Sequence, residues 1–170
     1  MIIQSNRLYL RKLKNDDLTN LHKLQSNANV MKYIMNRPKT LDENEMELNR
    51  ILQMDQAHNQ NFVVMAVCKN EDNQFIGTAA VIKNENNEFE IGYRLVEKEW
   101  GNGFGSEVAS LIEKYCFEMR TLKSIVATVE AKNSNSVKIL EKNNFTLILE
   151  SIDAENGELV KYFRKVRHSY

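Results

Sequence analysis

Three of the six glycines in this chain stand at alternate positions of one short stretch, Gly101, Gly103 and Gly105. They follow the β-rich run FEIGYRL and lead into a segment typical of a helix. Glycine lets a backbone approach a ligand closely, and free N–H groups at the start of a helix can converge on phosphate oxygens. The stretch therefore predicts either a pyrophosphate cradle or a plain tight turn. Its spacing is neither GxGxxG nor GxxxxGKS/T, so the two common nucleotide motifs are not supported.

The elements that must position this loop follow from the pattern of apolar residues. Residues 3–13 alternate between apolar and polar side chains and predict one strand. Asn15 and Asp16 provide capping side chains for a short helix that follows them. A second helix is expected over residues 42–57, behind Thr40.

A series of β-rich segments begins at residue 62. FVVMAVC, FIGTAAVIK and FEIGYRL are joined by short polar connections rich in Asn, which predicts an antiparallel meander. A helix is expected over residues 103–119, and SIVATVE, at residues 124–130, is typical of a buried strand. A strand, a helix and a strand in succession imply that the two strands pair in parallel.

The last part of the chain completes the predicted fold. A shorter helix at residues 134–142 and two strands around the turn Glu155-Asn156-Gly157 are expected there. No linker or repeat interrupts the sequence, so we expect one domain over residues 1–170. The fold class is α+β, with a mixed sheet that is antiparallel at first and has a strand-helix-strand unit at its centre. Where neighbouring strands of such a sheet stop pairing, a crevice opens that a flexible ligand can enter.

Composition and charge exclude several classes of protein. In 170 residues, 23 Lys plus Arg balance 23 Asp plus Glu, so no overall field attracts nucleic acid or an anionic membrane. No segment approaches the roughly 20 apolar residues of a membrane span, and the N-terminus lacks a signal-peptide pattern, so we expect a cytoplasmic protein. Cys68 and Cys116 have neither CxxC spacing nor a nearby His cluster, so we expect no disulfide framework and no metal site.

Several blocks of the sequence resemble a known family. WGNGFGSE, at residues 100–107, resembles the R/Q-x-x-G-x-G/A signature of the GNAT superfamily of acyl-CoA-dependent N-acetyltransferases. It is most similar to the WGxGYATE form of the ribosomal-protein alanine acetyltransferase branch. ATVEAKNSNSVKILEKNNF, at residues 127–145, resembles that branch's pattern NxxSxxxLEKxGF, with Asn144 where the family has glycine. Asn also accepts the left-handed conformation that ends a helix. The opening SNRLYLRKLKNDDL resembles the branch's first strand.

The resemblance implies a sheet that is splayed between its fourth and fifth strands, with helices on both faces. The pantetheine arm of acetyl-CoA would lie in that gap and pair with backbone groups near Leu95 and Val96. Asn133 would bind the arm from the other wall, unless it serves only as a helix cap. The pyrophosphate would be held by the amides of the loop and the helix start, at Gly101, Asn102, Gly103, Phe104, Gly105 and Ser106.

The same resemblance suggests catalytic residues. Glu90 matches a position where some family members carry a general base for the amine. Alternatively, Glu90 is a solvated carboxylate on the strand, with Glu88 beside it. Many members carry a tyrosine acid where this chain has Leu140. Ser136 matches a serine of the ribosomal-protein acetylating branch and is a candidate to donate a proton or stabilise the thiolate, although it could equally bond a backbone carbonyl. Tyr93 is expected on the opposite face of its strand from Glu90 and is a weaker candidate.

The resemblance implies an acetyl-CoA-dependent N-acetyltransferase that acts on a primary amine, such as a protein N-terminus, by direct attack in a ternary complex. The alternative acceptor is a polyamine or an aminoglycoside. The acidic run Asp42, Glu43, Glu45 and Glu47 would favour a polyamine, unless it is a solvated helix face. A non-catalytic acyl-CoA sensor is a third reading, because Leu140 replaces the tyrosine. We expect no metal, nucleic-acid or membrane partner, and a monomer or a homodimer.

Overall fold

One mixed sheet forms the centre of the computed structural model, which describes residues 3–154 and 156–167. Within these residues the sheet has eight strands: β1 (Ile3–Gln4), β2 (Leu8–Lys12), β3 (Phe62–Lys69), β4 (Phe75–Lys83), β5 (Phe89–Leu95), β6 (Ser124–Glu130), β7 (Thr146–Ile152) and β8 (Leu159–Val166). Their order across the sheet is β1-β2-β3-β4-β5-β6-β8-β7. β3, β4 and β5 are antiparallel neighbours, which confirms the predicted meander.

The prediction of one strand over residues 3–13 is wrong, because two strands occupy this stretch. The Ser5 N–H donates to the carbonyl of Leu8 at 2.8 Å and closes a turn, after which β2 runs back antiparallel to β1. The N–H of Leu8 also donates to the Ser5 hydroxyl at 3.2 Å, and such local side-chain bonds compete with a continuous strand. The extra strand raises the number of each later strand by one. The splay expected between the fourth and fifth strands therefore lies between β5 and β6.

Helices cover both faces of the sheet, as the resemblance implies. The helices are α1 (Leu18–Gln25), α2 (Ala28–Met31), α3 (Leu41–Gln56), α4 (Phe104–Lys114) and α5 (Ser134–Lys142). The first three contribute to the core on one side of the sheet, and α4 and α5 contribute to the core on the other. We call these sides the α3 face and the α4 face.

The predicted helices are confirmed with three differences. Asn15 and Asp16 do not cap α1, because Asn15–Asp17 form a 3-10 turn and α1 begins after Asp17 without a side-chain cap. α4 is shorter than the predicted helix over residues 103–119, because Tyr115–Met119 form a π-helical turn. α2 was not predicted, since four residues are too few to display a helical period. Thr40 caps α3 as expected, where its hydroxyl accepts from the Glu43 N–H at 3.2 Å.

Alternation along the strands decides which core each residue enters. On β3, Val67 joins the cluster on the α4 face together with Val108 of α4. Its neighbour Ala66 joins the cluster on the α3 face, together with Leu21 of α1 and Leu48 of α3. The same alternation on β5 fixes which side chains can reach a ligand on each face.

The sheet is split between β5 and β6. These two strands are parallel and pair at one position, Glu90 with Val126, whereas β4 and β5 pair at seven. α4 connects them, which confirms the predicted strand-helix-strand unit. From Glu90 towards Leu95 the strands separate, and we call the resulting space the β5–β6 gap.

The C-terminal part follows the predicted order of elements. β8 lies between β6 and β7, so β7 is an edge strand. Asn144 has a φ of 58°, which confirms the left-handed residue expected after α5. In the turn before β8, Gly157 has a φ of 74°, and Glu155 lies outside the described residues. Among the residues described, no helix is long and apolar enough to cross a membrane.

Candidate active site

The loop between β5 and α4 forms a cradle of backbone N–H groups. Gly101 and Gly103 have φ of +79° and +78°, a conformation that strains any residue with a Cβ. α4 begins at Phe104, and the first N–H groups of a helix have no partner within it. In the part of the chain that the structure describes, no protein oxygen accepts from the N–H groups of residues 101–106. This arrangement is suited to an anion such as a pyrophosphate.

Gly105 has a different role from the other two glycines of the loop. It lies in the first turn of α4 and has no positive φ. A Cβ at this position would be 2.7 Å from Cδ1 of Ile139 and 3.3 Å from the hydroxyl of Tyr93. The absence of a side chain therefore lets α4 approach α5 and the gap-lining strand closely.

Arg7 ties the N-terminal turn to the cradle. Its Nε donates to Oε2 of Glu107 at 2.8 Å, and the Ser5 hydroxyl donates to Oε1 of Glu107 at 2.6 Å. Its Nη1 donates to the carbonyl of Asn102 at 3.0 Å. Because a trans peptide directs its C=O and N–H groups in opposite directions, this bond turns the N–H of Gly103 away from Arg7. Arg7 thus fixes the orientation of a peptide in the cradle.

The carboxylate of Glu107 is held ionised by the same contacts. Burial raises its pKa, but hydrogen bonds from Ser5 and Arg7 outweigh that effect and lower the pKa below its ordinary value. Arg7 also lies 4.5 Å above the ring of Phe104. Ser5 and Arg7 belong to the opening block of the resemblance, and Glu107 belongs to the glycine block, so the two blocks are in direct contact.

Backbone groups along the gap are only partly free. The N–H of Val96 donates to the carbonyl of Ile76 at 2.9 Å, and its carbonyl accepts from Glu99 at 3.0 Å. In an antiparallel ladder, alternate residues direct their N–H groups away from the partner strand, which turns the N–H of Leu95 towards the gap. The carbonyl of Leu95 accepts from the Trp100 indole at 2.9 Å. Leu95 is therefore better placed than Val96 to pair with a bound arm.

The far wall of the gap is formed by the start of α5. Asn133 caps this helix, because its Oδ1 accepts from the Ser136 N–H at 3.2 Å. The helix-cap reading of Asn133 is thereby confirmed, and the arm-binding role stays a prediction. Its side-chain NH2 group donates to no residue that the structure describes, so a cap and a ligand donor are compatible.

Tyr93 brings a hydroxyl group to the same wall. The register of β4 and β5 has no bulge, so Tyr93 lies on the α4 face, opposite to Glu90, as predicted. Its hydroxyl is buried, and Ser136 lies near it, though beyond ordinary hydrogen-bond geometry. Burial raises the pKa of Tyr93 to about 12, and the contact with Ser136 offsets this only in part. Two neutral hydroxyl groups therefore meet behind the gap.

Two carboxylates lie at the start of β5, and their surroundings differ. Glu88 accepts hydrogen bonds from Tyr162 and, at 2.5 Å, from Arg164 of β8. Glu90 is half-buried at the position where the gap begins, and Nδ2 of Asn84 lies 3.4 Å from it. No cation among the described residues forms a salt bridge with Glu90. Of the two, Glu90 is the one that is free to approach an amine.

Half of the acidic run on α3 is paired. Nη1 and Nη2 of Arg37 donate to the carboxylate of Glu43, at 2.9 and 2.6 Å. This contact is the main cause that lowers the pKa of Glu43 to about 2. Glu47 binds Lys39, and its other oxygen is 3.8 Å from Nη1 of Arg94. Glu43 and Glu47 are therefore neutralised by neighbouring cations, whereas Asp42 and Glu45 form no salt bridge with a residue that the structure describes, so only part of the run is available to a polyamine.

Comparisons with known proteins identify the class. A family model for the Acetyltransferase (GNAT) domain matches residues 7–146. The uncharacterized N-acetyltransferase p20 of Bacillus licheniformis is 30% identical over 169 residues, which cover 95% of this chain and 92% of that protein. The chain is an N-acetyltransferase. It belongs to the GNAT family, whose fold implies acetyl-CoA as the acyl donor.

Solved structures share this fold over the whole chain. An acetyltransferase from Salmonella typhimurium that modifies the N-terminal serine of a ribosomal protein has a TM-score of 0.83 and 20% identity, covering 99% of this chain and 100% of that one. Spermidine N-acetyltransferase from Vibrio cholerae, in complex with CoA and spermine, has a TM-score of 0.81 and 22% identity, covering 95% and 96%. These identities establish the fold and leave the acceptor open.

The structure also shows site residues that sequence reasoning missed. Arg7 and Glu107 belong to two blocks of the sequence that lie about a hundred positions apart. Only the fold brings their side chains into contact. Arg94 shares the α3 face with Glu90, which strand parity could have indicated. The meeting of Tyr93 with Ser136 depends on the docking of α5 and had no local signal.

Proposed function

We propose that this enzyme transfers the acetyl group of acetyl-CoA to a primary amine at a protein N-terminus, by direct attack in a ternary complex. The observation that carries the proposal is the β5–β6 gap, which has free N–H groups at one end and, at the other, the carboxylate of Glu90, which forms no salt bridge with a described residue. Glu90 and Leu95 are about 17 Å apart along an extended strand, comparable with a pantetheine arm.

The donor end of the proposed site relies on backbone groups. The N–H groups of residues 101–106 bind the pyrophosphate, and the N–H of Leu95 pairs with the arm. Asn133 donates its free amide hydrogens to the arm from the opposite wall. No net positive charge is needed, because oriented backbone dipoles and a helix start attract an anion by themselves.

The reaction needs a neutral amine, a polarised carbonyl and a stabilised thiolate. Glu90 accepts a proton from the acceptor amine, directly or through water. The amine nitrogen attacks the thioester carbon, backbone N–H groups of the splayed strand stabilise the oxyanion, and the C–S bond then breaks. The products are an amide and the CoA thiolate. Two protons pass to solvent: one that Glu90 takes from the ammonium form of the acceptor, and one that the nitrogen loses after it has attacked the thioester carbon.

Tyr93 and Ser136 are assigned as hydrogen-bond donors to the thiolate. A thiol has a pKa of about 8.5, well below the pKa of about 12 of the Tyr93 hydroxyl. Transfer of its proton to the thiolate is therefore unfavourable, whereas donation of a hydrogen bond is not. This role suits a chain that has Leu140 in place of the family's tyrosine.

The surroundings of α3 favour a protein N-terminus over a polyamine. A polyamine needs unpaired carboxylates, but the half-buried Glu43 and Glu47 already pair with Arg37 and Lys39. The unpaired Asp42 and Glu45 are exposed to solvent. The Salmonella and Vibrio relatives show that this fold serves both kinds of acceptor. A panel of N-terminal peptides, spermidine and an aminoglycoside would separate these acceptors by thiol release from acetyl-CoA.

Replacement of Glu90 by Gln tests the catalytic assignment. We expect kcat to fall about 100-fold and the acidic limb of the pH profile to disappear, because the base is lost. Calorimetry should give a nearly unchanged Kd for acetyl-CoA. Glu88→Gln is the matched control, and its pH profile should keep the wild-type shape.

Two results would contradict the proposal. An unaltered pH profile in Glu90→Gln would remove Glu90 from the role of base. Tight binding of acetyl-CoA by the wild-type protein, without thiol release for any amine in the panel, would identify a sensor instead of an enzyme.

A further inference from the structure

Arg94 is a cation on the acceptor side of the gap that no protein group fully satisfies. We propose that it binds a carboxylate group of the acceptor, so that the enzyme prefers amines that carry a negative charge a few residues from the reacting nitrogen. This inference rests on the proposed function and narrows its acceptor.

The position of Arg94 follows from the alternation of β5. Ile91 and Leu95 enter the core on the α4 face, so Glu90, Gly92 and Arg94 lie on the α3 face. Salt-bridge geometry agrees, because Nη1 of Arg94 is 3.8 Å from Glu47 of α3. The free carboxylate and the cation therefore share one surface, with their Cα atoms about 13 Å apart.

The floor between these two charges is open. Gly92 is exposed, and a Cβ added to it would meet no atom within 4 Å. Its partner on β4 is Ala80, so small residues stand side by side on the sheet surface between the two charges. An acceptor lying over Gly92 can reach Glu90 at one end and Arg94 at the other.

The side chain of Arg94 has unused hydrogen-bonding capacity. It is 26% exposed, and burial lowers its pKa. An arginine has five N–H donors, yet this side chain donates a hydrogen bond to no residue that the structure describes. Its distance from Glu47 exceeds hydrogen-bond length, and the other oxygen of Glu47 already binds Lys39. Lys39 and Arg94 thus carry two positive charges against the single negative charge of Glu47, which leaves one positive charge uncompensated.

A carboxylate is the ligand that the guanidinium group of Arg94 is suited to bind. Planar guanidinium and carboxylate groups match each other in bidentate geometry, whereas a polyamine would be repelled. A peptide chain rises about 3.4 Å per residue, so an acidic side chain at the second to fourth position would reach Arg94 while the terminal amine is at Glu90. A free acidic amino acid offers the same group from a second source.

The simpler alternative is that Arg94 only pairs with Glu47. The two roles differ in the effect of Glu47→Gln. If the ion pair is purely structural, Arg94→Gln and Glu47→Gln should act alike and leave acceptor preference unchanged. If Arg94 binds the acceptor, removal of Glu47 frees the cation and strengthens the preference, while removal of Arg94 abolishes it.

The test uses pairs of acceptors that differ only in charge. Thiol release at saturating acetyl-CoA would be measured with peptides that have Glu or Gln at the third position, and with free glutamate and glutamine. For the wild type we expect a kcat/KM at least about 10-fold higher with the Glu peptide. Arg94→Gln should bring this ratio close to one through KM, Arg94→Lys should restore part of it, and Glu47→Gln should raise it. Preference for glutamate over glutamine of equal size would assign the carboxylate to a free amino acid instead of a peptide.

Arg37→Gln is the matched control, because Arg37 is an arginine beside α3 whose guanidinium is already bound to Glu43. It should keep the wild-type ratio.

The Kd for acetyl-CoA, measured on every variant, reports whether the donor site is intact. A wild-type enzyme that turns over both peptides equally, or an Arg94→Gln variant that slows both alike, would overturn the role of Arg94 and leave the proposed function standing. Absence of turnover with every amine would overturn both.

Discussion

The two ends of the site that we propose at the β5–β6 gap are built by different means. The donor end consists of backbone N–H groups held by left-handed glycines, with Gly103 at the start of α4. The acceptor end consists of side chains on the α3 face, chiefly Glu90 and Arg94. Backbone geometry is sufficient to recognise an acyl donor that is the same in every reaction, whereas individual side chains select the acceptor.

The arginines at the two ends illustrate this difference. Arg7 beside the cradle bonds both Glu107 and the carbonyl of Asn102, so its position is fixed before any ligand arrives. Arg94 has only a long contact with Glu47. The donor end is thus organised in advance, and the acceptor end keeps an unsatisfied charge for its ligand.

The largest effect should come from breaking the cradle itself. In Gly103→Val, the φ of +78° becomes strained, the loop is forced into another path, and its N–H groups no longer converge. We expect the Kd for acetyl-CoA, measured by calorimetry, to rise at least about 100-fold. Gly157→Val is the control, because Gly157 has a similar φ of +74° in a turn between β7 and β8. Equal loss of binding in both variants would contradict the cradle.

A smaller effect is expected at the hydroxyl groups behind the gap. Tyr93→Phe and Ser136→Ala should each lower kcat about 30-fold, and the double variant should lose little more, because the two groups stabilise one thiolate. A pKa of about 12 keeps Tyr93 protonated in ordinary buffers, so the pH profile of Tyr93→Phe should keep the wild-type shape up to about pH 10. Loss of an alkaline limb in this variant would instead identify Tyr93 as a proton donor.

The smallest effect concerns the support of the cradle by Arg7. Arg7→Gln removes the bonds to Glu107 and Asn102, and the KM for acetyl-CoA should rise about 10-fold. The rate with S-acetyl-N-acetylcysteamine, a donor without pyrophosphate, should not change. Arg11→Gln is the control, because Arg11 forms a comparable pair with Asp17 away from the loop. If Arg7→Gln slowed both donors equally, Arg7 would be only a structural residue.

Much of the donor end could be predicted from the sequence, because its signals are local. Glycine spacing marked the loop, in which two of the three glycines have a positive φ, and Asn144 was correctly expected to end a helix. The split of residues 3–13 into two strands was missed, although the polar residues Ser5, Asn6 and Arg7 interrupt the apolar alternation at the turn. The acceptor end escaped prediction because the relation of Arg94 to Glu47 depends on how α3 packs over the sheet.

The single bridge between Glu90 and Val126 has a mechanical consequence for the whole sheet. Backbone hydrogen bonds scarcely connect β1 to β5 with β6 to β8, so the two halves are held together mainly by side-chain packing on the α4 face. An extended arm in the gap would act as an additional strand and bridge them. Ligand binding of this kind stabilises the folded state by mass action. Amide protons of β6 should accordingly exchange with solvent more slowly when the donor is bound, which makes acetyl-CoA a structural component of the sheet as well as a substrate.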